Sequence, residues 1–135
     1  MKERWSIGSP TVQVEAEISG TLAVVELRGE TSFAQADRLV QDVLVRMRER
    51  GVQKLLIEAL GLKLDRIPGV GQRYFMARDW AVAARGAFRL AMVVQPELVD
   101  PEKFGMLALR NAGLVGEVFG TREEALAWLE GARSG

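Results

Sequence analysis

The sequence contains no cysteine and no histidine. The first absence removes disulfides, thiolate nucleophiles and zinc ribbons together, and it fits a reducing, cytoplasmic setting. The second removes the commonest transition-metal ligand and the commonest general base near neutral pH. No serine or threonine occurs from Phe33 to Gly120, so Tyr74, the only tyrosine, is the only side-chain hydroxyl of that stretch. There is also no excess of charge. Lys plus Arg and Asp plus Glu both count 18, so no bulk field draws the chain to nucleic acid or to an anionic membrane. No apolar run approaches the roughly 20 residues of a membrane span, and the charged start of the chain is not followed by a signal core. A soluble protein without metal or cofactor is expected.

What is present suits one globular domain. The 135 residues are enough for a single core, and 48% hydrophobic with 27% charged residues is ordinary for a folded chain. Residues 1–10 are read as a loose arm and 131–135 as a frayed tail. Val12, Val14, Ala16 and Ile18 alternate with polar residues, the period of a half-buried strand. Ser19 and Gly20 turn the chain into a second strand, Leu22 to Leu27, which must pair antiparallel. Ser32 with Gln35 forms a capping-box signature. A long amphipathic helix follows, ended by Gly51. Arg46, Arg48 and Arg50 at its end are read as cations favoured by the helix dipole rather than as an anion patch.

Leu55 to Leu60 reads as a buried strand. The connection from Gly61 to Gly71 is expected to be the longest, leading to a helix from Gln72 to Arg85 with Phe75, Trp80 and Ala83 toward the core. Leu90 to Val94 is the next strand. Asp100 before Pro101 starts a helix to about Asn111. Val115 to Phe119 is the last strand, and Thr121 with Glu124 caps a final helix. The order β-β-α-β-α-β-α-β-α gives an α/β fold: a mixed, mostly parallel, five-stranded sheet packed with helices.

Candidate binding residues gather in the loops at the carboxyl ends of the parallel strands, where open α/β sheets hold ligands. Asp65 with Arg66, and Arg73 with Tyr74, can position an anion. Gly69 and Gly71 precede a helix and can aim N–H groups at a phosphate, but they lack the third glycine of a dinucleotide fingerprint and the Lys-Ser/Thr of a P-loop. A turn into the helix accounts for them better. Glu97, Asp100 and Glu102 cluster after the fourth strand, where Asp100 is accounted for by capping. Met106 and Leu109 on one helix, and Met76 and Tyr74 on another, leave apolar surface beyond the core stripe. That surface is the candidate interface of a homodimer.

Residues Arg73 to Arg78 with their helix, Leu90 to Gly105, Arg110 with Asn111, and Glu117 to Leu129 together resemble the STAS, or SpoIIAA-like, superfamily. More narrowly they are similar to bacterial stand-alone STAS/SEC14-type proteins. The resemblance covers nearly everything after residue 10, and its second half carries the more specific match. It implies a non-enzymatic module that binds proteins or small ligands; members of the wider superfamily act as anti-sigma-factor antagonists or as regulatory domains of anion transporters. One feature of the antagonist branch is missing. Its phosphorylatable serine sits before the second helix, and Asp65 to Gln72 contains no serine or threonine. A phosphate switch needs a hydroxyl to carry its charge. The expected function is therefore an interaction module without that switch. The alternative is a carrier of a small apolar, lipid-like ligand, held between the second and third helices and the sheet.

Overall fold

The computed structural model describes residues 2–5, 11–66, 69–95 and 113–131. They form one six-stranded sheet with three helices. The strands are β1 (Lys2–Trp5), β2 (Val12–Ser19), β3 (Leu22–Thr31), β4 (Lys54–Leu64), β5 (Arg89–Val93) and β6 (Gly116–Phe119). They lie in the sheet in chain order. β1, β2 and β3 run antiparallel in turn, while β3, β4, β5 and β6 are parallel neighbours. Helices α1 (Phe33–Glu49) and α2 (Val70–Ala84) follow β3 and β4, and α3 (Arg122–Glu130) follows β6. The fold class expected from the sequence is the one observed.

Two hydrophobic clusters flank the sheet. Alternate residues of β2 and β3, such as Val14 and Leu27, pack with Leu55 and Ile57 of β4 beneath α1 and α2. On the opposite face Leu56, Ala91 and Val93 meet Ala125 and Leu129 of α3. Each fully buried leucine or isoleucine contributes about 1.5–3 kcal/mol of transfer energy. No polar or charged residue is fully buried among the described residues. The caps form as their residue types require. Ser32 Oγ accepts from the Gln35 N–H at 3.2 Å, and Thr121 Oγ1 accepts from the Glu124 N–H at 3.2 Å.

Three features depart from the sequence reading. The stretch read as a loose arm contains β1, which adds a sixth strand. Its residues are polar, and long-range contacts hold it. Trp5 is buried beneath the guanidinium of Arg46, 5.3 Å from its ring centroid, and Arg50 Nη1 donates to Glu3 Oε1 at 3.0 Å. Arg48 donates to the Ala83 carbonyl at 2.6 Å, so each of the three arginines at the end of α1 has a partner. β4 continues through Leu64, because a register shift between Glu26 and Arg28 preserves its pairing with β3 beyond Gly61. The long connection is thereby reduced to residues 65–69. Finally, Phe75 is not in the core: 64% of its surface is exposed. The helix expected from Asp100 to Asn111 lies outside the described residues.

Candidate functional site

Helix α2 has the least ordinary surface of the fold. Its buried face is made of small residues around one large one: Ala77, Trp80, Ala81 and Ala84. The alanines let the helix lie close to α1, and Trp80 Nε1 donates to Asp37 Oδ1 of α1 at 2.8 Å. With the core face set by that pattern, the larger apolar residues fall on the opposite side. Among the described residues, the large apolar side chains left exposed are Tyr74, Phe75, Val82 and Val115, and the first three belong to α2. Val82 is 71% exposed, and Tyr74 meets Phe75 edge to face at 5.8 Å. Exposed apolar surface of this kind commonly marks a contact site.

The C-terminal end of α2 carries a second irregularity. Arg85, its C-cap, has φ 51° and ψ 35°, the left-handed conformation in which glycine is favoured. A non-glycine residue there costs about 1 kcal/mol. A cation at a helix C-terminus recovers about 0.3–1 kcal/mol of that.

At the other end of α2 a cleft of about 430 Å³ opens between the starts of α1 and α2. It is lined in part by Ser32, Asp37, Arg38, Asp65, Arg66 and Gln72. Asp65 and Arg66 of the sequence reading therefore do share a recess at the carboxyl end of β4. Asp65 Oδ1 accepts from the Phe33 N–H at 3.3 Å, bracing the start of α1. Asp37 accepts from Trp80 and, at 3.2 Å, from Gln41 Nε2. Ser32 Oγ is engaged as the α1 cap. Gly69 is the N-cap of α2 and its N–H donates to Gln72 Oε1 at 3.0 Å. A Cβ on Gly71 would meet nothing within 4 Å, so no close approach demands glycine there.

The remaining expected residues are dispersed. Tyr74 is on the exposed side of α2, whereas Arg73 is half-buried. Met76 is half-buried and packs against the main core. Glu97, Asp100, Met106 and Leu109 lie outside the described residues. Among the described residues no group of three or more acidic side chains is placed to hold a metal ion, and no helix is long and apolar enough to cross a membrane. Phe75 and Val82 were missed as surface residues. The signal lay in Ala77, Ala81 and Ala84, whose helical spacing marks a close-packed face opposite them.

No protein-family model matches the sequence, and no curated protein matches it. The structure does match. A crystallised anti-sigma factor antagonist from Mycobacterium paratuberculosis superposes with a TM-score of 0.56 over 92% of this chain and 99% of that one, at 14% sequence identity. This chain has a STAS, SpoIIAA-like fold. At that identity the likeness establishes architecture: an antiparallel start, parallel strands following, and helices against the sheet.

Proposed function

We propose that this STAS-fold protein is a non-catalytic interaction module, and that its docking surface is the solvent face of α2. The carrying observation is the exposure of Phe75 and Val82, two turns apart on the side of the helix opposite the core. Large apolar side chains presented in this way serve as interface anchors. The structural likeness to an anti-sigma factor antagonist supports a regulatory role through protein contact. The cleft beside Asp65 supports no catalytic role, because its carboxylates and its hydroxyl are already engaged in local bonds. With no serine or threonine from Asp65 to Gln72, docking here is not gated by a phosphate on this loop.

The test compares the wild type with a Phe75→Ser/Val82→Ser double variant in affinity purification from the native cell, with circular dichroism confirming that both are folded. A partner retained by the wild type and lost by the variant supports the proposal. A partner set that is identical for both overturns it. Light scattering on the same pair shows whether that partner is a second copy of this chain. Native mass spectrometry that finds a bound apolar molecule and no protein would favour a carrier instead.

A further inference from the structure

Resting on that docking face, the charge around it points to the chemistry of what docks. Phe75, Arg78, Val82 and Arg85 recur at steps of three, four and three residues, so they form one stripe along α2. All four are exposed. Between Arg66 and Gly86 the chain carries four arginines, Arg66, Arg73, Arg78 and Arg85, against a single acidic residue, Asp79. The chain as a whole has zero net charge, so this excess is local. Elsewhere several exposed arginines are paired with carboxylates: Arg28 of β3 with Glu15 and Glu26, Arg122 of α3 with Glu58, and Arg50 at the end of α1 with Glu3. Among the described residues no ion pair joins Arg78 or Arg85 to a carboxylate. Arg85 also holds a left-handed backbone position better suited to glycine, so its side chain is present at a conformational cost.

We infer that α2 receives an acidic, apolar-anchored helix of another protein. Its carboxylates reach Arg78 and Arg85, and its apolar side chains pack between Phe75 and Val82. Seven residues of helix separate the two arginines, roughly 10 Å along the axis, which matches acidic residues two turns apart on a facing helix. The alternation of apolar and cationic groups decides against an anionic membrane. A helix lying in a lipid interface needs a broad apolar face. The broad apolar face of α2, with Ala77, Trp80, Ala81 and Ala84, is already used by the core. Nucleic acid would use the arginines but leave Phe75 and Val82 without an apolar counterpart.

The test is selection from a displayed library of random helical peptides, with the full chain as target and an Arg78→Gln/Arg85→Gly variant as counter-target. The expected result is enrichment of Asp and Glu flanking apolar residues. Binding of the selected peptides should weaken as salt rises and fall by about fivefold or more on the counter-target. Peptides that need Phe75 and Val82 but show no acidic enrichment would overturn this inference and leave the docking face standing. Peptides indifferent to Phe75 and Val82 would overturn both. Co-sedimentation with phosphatidylserine/phosphatidylcholine vesicles is the second arm: arginine-dependent pelleting would assign the patch to membrane and contradict the inference, whereas no pelleting agrees with it.

Discussion

Replacing Gly29 by alanine should be among the most costly single-methyl additions in this chain. Gly29 pairs with Val12 where the start of β2 lies against the end of β3. Its φ is 134°, a region that other L-residues rarely occupy. A Cβ built there would overlap the Thr11 carbonyl oxygen and stand 3.0 Å from Val12 Cα. Both neighbours are backbone, and Thr11 is pinned by its hydroxyl, which donates to the Glu30 carbonyl at 2.6 Å. The backbone strain costs about 1–3 kcal/mol and the overpacking a similar amount, so about 4 kcal/mol is expected. That is a large share of the 5–15 kcal/mol typical of a whole domain. Two controls separate the causes. Gly20 has φ 61° but nothing within 4 Å of a Cβ, so Gly20→Ala should cost about 1 kcal/mol. A Cβ on Gly61 would meet Arg28 Cγ at 2.8 Å, near the root of a side chain paired with Glu15 and Glu26, so Gly61→Ala should cost about 1 kcal/mol, less than Gly29→Ala because a side chain rather than backbone must shift. Urea denaturation at constant slope measures all three. A Gly29→Ala cost equal to that of Gly20→Ala would refute the reasoning, because it would mean that β2 does not approach this closely.

The Glu3 carboxyl is lowered from 4.5 to about 2, chiefly by its hydrogen bond from Arg50 and then by that from Trp5. A depressed carboxylate contributes stability that is present above the unfolded pKa and lost as pH falls through the folded one. The stability difference between wild type and Glu3→Gln should thus be constant above about pH 4.5 and shrink toward about pH 2; a difference that grows on acidification would contradict it. Leu44→Ala on the buried face of α1 and Leu129→Ala on the buried face of α3 should each cost about 2–5 kcal/mol in one cooperative denaturation transition. Separate transitions would show that the two faces of the sheet unfold independently. Arg85→Gly should leave stability unchanged or raise it by about 0.5 kcal/mol, since relief of the left-handed strain exceeds the lost dipole interaction; a loss above 1 kcal/mol in thermal denaturation would show that the side chain is structural.

Much of the architecture is legible from local pattern. The alternation of Val12, Val14 and Ala16 gives a strand with that face buried, and Ser32 and Thr121 cap the helices they were expected to cap. The misses share a physical cause, which is reliance on contacts distant in sequence. β1 is four mainly polar residues, and what holds it is β2 beside it and Arg46 and Arg50 above it. The end of β4 is disguised by Gly61, where the pairing with β3 shifts register. On α2 the expectation that large aromatic residues turn inward put Phe75 in the core, whereas close helix packing selects the alanines. The recess containing Asp65 and Arg66 was legible as a loop at the end of a parallel strand. That Asp65 would brace α1 was not, because Phe33 is far from it in the chain.

The most direct measurement is hydrogen–deuterium exchange across the full chain, with and without a saturating amount of the partner captured in a Phe75- and Val82-dependent manner. Slower exchange in α2 and the adjoining 65–69 connection, with β1 to β3 unchanged, is the predicted result. Protection on the charged outer side of β1 to β3, with α2 exchanging as it does in the free protein, would contradict the claim that this helix is where the protein meets its partner.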